Sequence, residues 1–211
     1  MRIELALDCP AREFIRSLNC DISTGPWVAG GAARALIDGH SPADIDIFFR
    51  SQEQSTQFIR DLERKGVKSR AMNSRLPYYK VPYVTKGDNR IDGIFDCLHA
   101  ASEYSVQPVF VYQFNSVNNL FDDFDITASL FATDGYVVVG PDQAWIDLKE
   151  KRLALNTVPA SKFRKTGSRL GKYAGYGLTP QPGVVVTVLK EALTEKRFSM
   201  NRKRMNTDES Y

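Results

Sequence analysis

The sequence has few of the residues from which many enzymes build an active site. Histidine occurs only at His40 and His99, and the three cysteines are irregularly spaced. Two histidines argue against a histidine-based metal site and against a Ser-His-Asp triad. The odd, scattered cysteines predict neither a disulfide framework nor a zinc site. If the chain is an enzyme, carboxylates must carry its chemistry.

Long apolar runs are missing as well. No stretch of about 18 apolar residues occurs, so we expect no membrane span. The N-terminal sequence MRIELALDCPAREF has acidic residues within its apolar stretch and no cleavage-site pattern. We therefore expect no signal peptide and a cytoplasmic location. The length of 211 residues fits one domain, or a catalytic domain with a short appendage.

The net charge of +3 is small, but the charges are unevenly distributed. The segment from Asp92 to Asp125 is rich in acidic residues, whereas the last third of the chain is basic. Its two basic runs contain Lys162, Arg164, Lys165, Arg169 and Lys172, and then Lys196, Arg197, Arg202, Lys203 and Arg204. This asymmetry suits a metal and triphosphate site next to a surface for a polyanion, although solvated surface charge explains the terminal run equally well.

Hydrophobic periodicity predicts a mixture of helices and strands. The predicted helices are 12–18, 32–38, 54–65, 116–124, 144–155, 162–176 and 184–200. The predicted strands are 27–29, 44–49, 78–85, 91–98 and 109–114, with a hairpin over 126–140. The order indicates an α+β fold, with a mixed-sheet domain at residues 1–155 and a helical extension at residues 156–211.

The segment VAGGAARALIDGHSPADIDIFF, residues 28–49, is the most informative part of the chain. Gly30 and Gly31 open a predicted helix, where backbone N–H groups and the positive helix end can meet a phosphate. Asp44 and Asp46 lie two residues apart on a predicted strand, so both carboxylates project from one face. Two hard oxygen ligands side by side are what Mg²⁺ needs beside triphosphate oxygens.

These residues resemble the first block of a known family. In the head domain of the class II poly(A) polymerases and CCA-adding tRNA nucleotidyltransferases, within the polymerase-beta superfamily, two glycines precede a helix that carries an arginine and an aspartate. A Leu-Leu-Gly end and an Asp-x-Asp pair follow. This chain departs from the block at Ala35, where the family has the aspartate. It matches the block without a gap at Gly30, Gly31, Arg34, Ile37-Asp38-Gly39, Pro42, Asp44 and Asp46.

A second block is similar to the family over DDFDITA, residues 122–128, where the family has Arg-Arg-Asp before Phe-Thr-Ile-Asn-Ala. Asp123 aligns with the family aspartate, and both arginines are missing. The family's Asp-Leu-Lys helix is matched by DLK at residues 147–149, and its neck is matched loosely by residues 169–178. The Glu-Asp-x-x-Arg segment that selects the base in CCA-adding enzymes reads KTGSR here, so CCA synthesis is not supported. Reduced chains of this kind resemble the compact nucleotidyltransferases predicted in phage and large-virus genomes.

The resemblance implies a nucleotidyltransferase fold and transfer of a nucleoside monophosphate from an NTP to an acceptor hydroxyl, with release of pyrophosphate. Two Mg²⁺ ions would be held by Asp44, Asp46 and a third aspartate. Asp123 and Asp125, at the entrance to a predicted strand, are favoured for that third place, with Asp125 as the metal ligand. Asp92, in RIDGIF, is the alternative. The residues implied in nucleotide binding are Gly30, Gly31, Arg34, Arg169 and Lys172.

The acceptor is left open by the sequence. The resemblance favours the 3′ end of an RNA such as tRNA, while a protein or a small molecule is the alternative within the enzyme class. A different class is a catalytically silent module that binds nucleotide or nucleic acid. The missing acidic neck residues favour such a module, and the intact Asp44 and Asp46 oppose it. The oligomeric state does not follow from the sequence.

Overall fold

The computed structural model describes residues 1–5, 10–64, 68–70, 94–99, 102–156 and 163–190. The chain forms two compact units. The first contains Met1–Asp122 and Ser129–Asp142, and the second contains Asp123–Ala128 and the chain from Gln143 onward. The predicted functional division at residue 155, between a catalytic head and a helical extension, stays a prediction.

An eight-stranded mixed sheet forms the frame of the first unit, in the order β1-β8-β7-β2-β3-β6-β5-β4. β3 and β6 pair in parallel at the middle of the sheet, and the other neighbours pair antiparallel. The strands are β1 (Arg2–Glu4), β2 (Trp27–Ala29), β3 (Asp44–Phe49), β4 (Lys68–Arg70), β5 (Ile94–His99), β6 (Ser102–Gln113), β7 (Ala132–Thr133) and β8 (Val137–Val139).

Four helices belong to this part of the chain: α1 (Pro10–Ser17), α2 (Gly31–Ile37), α3 (Gln52–Arg64) and α4 (Val117–Asp122). Their apolar residues recur at helical spacing, so α1, α2 and α3 each turn one stripe inward. Phe14, Leu36 and Phe58 lie in one core cluster with Ile45 and Ile47 of β3. That cluster buries one face of the central strand and fixes which β3 side chains point the other way.

The link from α2 to β3 is a sharp reversal. Gly39 has a φ of 71°, which glycine adopts without steric cost. The amide of His40 donates to the Ala35 carbonyl at 2.8 Å, and that of Gly39 donates to the Leu36 carbonyl at 3.3 Å. This pair of bonds is a Schellman ending. It stops the helix one residue after Ile37 and lets the chain enter β3 at Asp44.

The second unit has a small core of its own. Its elements are β9 (Arg152–Leu153), α6 (Phe163–Gly175), β10 (Thr179–Pro180), a helical segment at residues 184–190, and all but one residue each of α5 (Asp142–Lys149) and of a 3₁₀ turn at Thr127–Ser129. β9 and β10 form a two-stranded parallel sheet. Ile126, Leu170, Tyr173 and Val188 pack in one cluster with Leu153.

Most predicted elements of the sheet unit are confirmed, and the α+β class with them. The predicted strand through Asp123 and Asp125 is wrong, because these residues lie in a turn and a bend before the 3₁₀ turn. Only Ile126 forms a bridge there, with Leu155. The predicted helix 144–155 is also too long: Lys151 has a φ of 53°, which ends the helical path before β9. The predicted strand 78–85 lies outside the described residues.

Within the described residues, no helix combines the length and the apolar character that crossing a bilayer requires.

Candidate functional site

Asp44 and Asp46 lie at the beginning of β3, in the middle of the sheet. Burial alternates along the strand: both aspartates are half-buried, while Ile45 and Ile47 are fully buried on the core face. The alternation confirms that the two carboxylates share the face opposite the core. The sequence produces this arrangement because polar and apolar residues alternate from Asp44 to Ile47 with the period of a strand.

The neighbouring strand places Gln107 beside this pair. In the parallel register of β3 and β6, Asp46 lies opposite Gln107 and Asp44 lies opposite Ser105. The Gln107 Nε2 group donates a hydrogen bond to the Asp44 Oδ2 at 3.4 Å. This is a long contact, near the limit for a hydrogen bond. Gln107 is thus the polar side chain that reaches the carboxylate pair from β6.

This donor set suits a divalent cation of the hard type. Mg²⁺ is usually bound through one or two carboxylates, and substrate phosphates and water complete its octahedron. Asp44 and Asp46 supply two carboxylates on one partly exposed face, which meets that requirement. In the part of the chain that the structure describes, no group of three or more His, Cys, Asp or Glu side chains is placed to hold a metal.

The glycine pair lies at the start of α2, but its two members differ. Gly30 has a φ of 78°, and its amide donates to the Phe131 carbonyl at 2.9 Å. The Gly30 N–H group therefore bonds to the sheet and is not among the backbone N–H groups left to meet a phosphate. Gly31 has open space where a side chain would be: a Cβ built there meets no atom within 4 Å. A phosphate role for either glycine stays a prediction.

Arg34 is less accessible than the sequence suggested. Its side chain is 7% exposed, and its Nη1 pairs with the Asp38 Oδ2 at 2.7 Å along the same helix. The pair is of the i, i+4 kind and lies in the last turns of α2. This ion pair with Asp38 is one of the contacts that the Arg34 guanidinium group makes within the fold. Binding of triphosphate by Arg34 stays a prediction.

The two candidates for the third carboxylate belong to the second unit and differ in burial. Asp123 is half-buried, and Asp122 beside it is exposed, as expected of helix surface. Asp125 is 1% exposed, and its Oδ2 accepts hydrogen bonds from the Thr166 Oγ1 at 2.7 Å and the Arg169 Nη1 at 2.8 Å. These contacts tie Asp125 to α6. The alternative Asp92 lies outside the described residues, and the role of all three as metal ligands stays a prediction.

Arg169 and Lys172 lie on the outer side of α6, while Leu170 and Tyr173 face the core of the second unit. The Arg169 side chain is 49% exposed although Asp125 holds one of its nitrogens. Lys172 is exposed one turn further along. The two cations therefore share a solvent-facing side of the helix. The terminal basic run, residues 196–204, is outside the described residues.

Two functional neighbours were missed by sequence reasoning. Gln107 sits in SVQPVFV, where one polar residue inside an apolar strand was a usable signal of a polar neighbour for the site. Thr166 had no such signal, because a threonine in the helical stretch KTGSR has no distinguishing pattern. Its contact with Asp125 joins positions 41 residues apart.

Comparisons with known proteins identify a family whose model matches the chain and solved structures that share its fold. Residues 11–151 match the model of the Gabija anti-defense 2 family. No curated protein sequence is significantly similar to the chain. Among solved structures, a CCA-adding enzyme in apo form I shares a TM-score of 0.59 at 15% identity, over 94% of this chain and 47% of that one.

Two further structures have the same fold. A CCA-adding enzyme in complex with CTP gives a TM-score of 0.58 at 14% identity, over 92% of this chain and 46% of its own. The Thermotoga maritima CCA-adding enzyme complexed with tRNA gives a TM-score of 0.55 at 14% identity, over 92% of this chain and 46% of its own. The chain thus spans about half the length of these enzymes. At this identity the similarity establishes a shared nucleotidyltransferase-like fold.

Proposed function

The chain belongs to the Gabija anti-defense 2 family, and from that membership and its nucleotidyltransferase-like fold we propose that it is a metal-dependent nucleotidyltransferase. It transfers a nucleoside monophosphate from an NTP to an acceptor hydroxyl, and pyrophosphate leaves. The reaction takes place in the cytoplasm and serves the anti-defence role that the family name describes.

One observation carries this proposal: Asp44 and Asp46 present two half-buried carboxylates on one face of the central strand β3. Buried Ile45 and Ile47 pack into the core on the opposite face and fix the position of the strand that carries the two carboxylates. Preorganised oxygen donors of this kind need no rearrangement at the moment of reaction. Mg²⁺, when bound, would supply charge stabilisation at the triphosphate and activation of the hydroxyl.

The proposed acceptor is the 3′ end of an RNA. A solved structure with the same fold is complexed with tRNA, and another is complexed with CTP. In this chain, Arg169 and Lys172 provide cations on the outer side of α6. Lys and Arg at such positions contact phosphates and give affinity without reading sequence. Gly30, Gly31, Arg34, Arg169 and Lys172 remain the proposed nucleotide-binding residues.

The direct test is incubation of the purified protein with each α-³²P-labelled NTP, Mg²⁺ and total RNA. We expect label in RNA, and we expect Asp44→Asn and Asp46→Asn each to reduce incorporation by at least about 100-fold, as removal of a preorganised charge group does in other enzymes. Both changes keep the shape of the side chain and remove only a charged oxygen ligand. Transfer at a near wild-type rate in either variant would show that the Asp44–Asp46 pair is not required for the reaction.

Asp122→Asn is the matched control. It makes the same chemical change in an exposed aspartate at the end of α4, and incorporation should stay unchanged. Label in protein instead of RNA would show that the acceptor is a protein, while the type of reaction would stay as proposed. No label in any fraction, with metal-dependent NTP binding intact, would identify a silent binding module instead.

A further inference from the structure

The carboxylate pair has a neutral polar neighbour on β6. Gln107 lies opposite Asp46 across the β3–β6 pair, and its amide contacts the Asp44 carboxylate at 3.4 Å. Residues opposite each other on neighbouring strands have Cβ atoms about 5 Å apart, so this side chain shares the immediate surroundings of both aspartates. A glutamine offers an amide oxygen as a ligand, without charge.

Asp96 on β5 pairs with Ser105, which in turn pairs with Asp44, so its backbone lies two strands from that of Asp44. Among the side chains that the structure describes, no third acidic residue, histidine or cysteine completes a metal cluster.

The charges of the site's ligands determine how many divalent cations the protein can balance. Two carboxylates balance one divalent cation, whereas two cations would leave an uncompensated positive charge until a triphosphate arrives. We propose that Gln107 is the third oxygen donor of the Asp44–Asp46 site and that its neutrality limits the protein alone to one firmly held divalent cation. A second cation would then be bound only together with the phosphates of an NTP. This inference rests on the proposed function, because it concerns the same site.

The Gln107 amide can interact with the site both without a cation and with one. The Nε2 group donates to Asp44 while no cation screens that carboxylate. The oxygen and nitrogen of a glutamine amide occupy nearly equivalent positions, so a half-turn presents the Oε1 atom to a cation. Gln107 therefore contacts the Asp44 carboxylate and would be available as a ligand when a cation binds.

The test uses Mn²⁺ as the probe, with binding measured by calorimetry and by the EPR signal of free Mn²⁺. Wild-type protein should bind one Mn²⁺ alone and two with a non-hydrolysable NTP analogue. Gln107→Glu should tighten Mn²⁺ binding by at least about tenfold, since a third carboxylate adds a charge next to the ion. Gln107→Met, which keeps the length of the side chain and removes the amide, should weaken binding several-fold.

Folding is controlled within the same experiment. If repulsion among three carboxylates lowers the melting temperature of Gln107→Glu in EDTA, Mn²⁺ should restore it by more than it raises the wild-type value. Equal Mn²⁺ affinities in wild type, Gln107→Glu and Gln107→Met would overturn the inference while leaving the proposed function intact. A wild-type protein that binds no Mn²⁺, even with the NTP analogue, would instead overturn the proposed function.

Discussion

Replacing Asp125 with asparagine should destabilise the second unit, and the structure gives the size of the effect. The carboxylate is 1% exposed, and its Oδ2 accepts bonds from Thr166 at 2.7 Å and Arg169 at 2.8 Å. Asparagine keeps the shape, but its NH₂ group must then lie either against the Thr166 and Arg169 donors or at the buried Oδ1 position. The Oδ1 atom has no hydrogen-bond partner among the described residues.

Two terms make up the cost. A buried amide hydrogen without an acceptor costs about 1–3 kcal/mol. The lost ion pair adds less than about 1 kcal/mol, because Arg169 is 49% exposed and water replaces part of the interaction. We therefore expect the free energy of unfolding to fall by roughly 1–4 kcal/mol, which a urea m-value of about 1–3 kcal/mol/M converts into a midpoint shift of at least about 0.3 M.

The two tryptophans allow the shift to be assigned. Trp27 belongs to the first unit and Trp145 to the second, and both are buried. In a Trp27→Phe background, Trp145 fluorescence reports urea unfolding of the unit that contains Asp125. Thr166→Val should cost about 1 kcal/mol in the same background, and the double variant should cost less than the sum because the two residues are in contact. An unchanged Trp145 midpoint in Asp125→Asn would refute the reasoning.

Two further predictions concern the first unit. Gly31→Val should lower NTP affinity, measured by calorimetry, while its melting temperature stays within a few degrees of wild type, because a Cβ at this position meets no atom within 4 Å beyond its chain neighbours and the backbone of its own helix. Unchanged affinity would show that the phosphate site lies elsewhere. Burial and the nearby Asp134 raise the pKa of the Cys20 thiol from 9.0 to about 12. Between these two pH values the Cys20 thiol keeps its proton in the folded protein and loses it in the unfolded protein. The stability that this difference contributes should therefore be complete below pH 9 and lost as the pH rises towards 12. The measurement uses a Cys9→Ser, Cys97→Ser background, so that Cys20 is the remaining cysteine. Urea midpoints across that range, with Cys20→Ser as the flat reference, test the sign.

The sheet unit was readable from the sequence because its signals are local. The DIDIFF segment alternates with a period of two, and Gly39 follows a helix-forming run, so both β3 and the end of α2 follow from short-range preferences. The structure agrees with both. The segment around Asp125 failed for the opposite reason. FDITA has the composition of a strand, but its partners are long-range: Ile126 bridges Leu155, and Thr127 bonds to Ala154. A 3₁₀ turn results, because tertiary contacts override a local preference.

The accessibility of site residues was the part that the sequence could not provide. Arg34 occupies its expected place in the helix, yet its side chain is 7% exposed and pairs with Asp38. An i, i+4 spacing of opposite charges was a readable signal for that pair. The amide of Gly30 bonds to Phe131, which is 101 residues away in the chain, and no local pattern encodes such a contact.

The third carboxylate remains the sharpest question about the site, and Asp125→Asn answers part of it. The sequence favoured Asp123 and Asp125 over Asp92 for this place, with Asp125 as the metal ligand. The structure distinguishes Asp125 by burial: both of its oxygens are enclosed, and Oδ2 is occupied by Thr166 and Arg169. We therefore expect Asp125→Asn to leave Mn²⁺ affinity within twofold of wild type at a temperature where the variant is folded, whereas Asp44→Asn lowers it at least tenfold. A tenfold loss in Asp125→Asn would instead establish Asp125 as a ligand, because a change in fold stability alone does not alter the affinity of the folded protein for a metal ion.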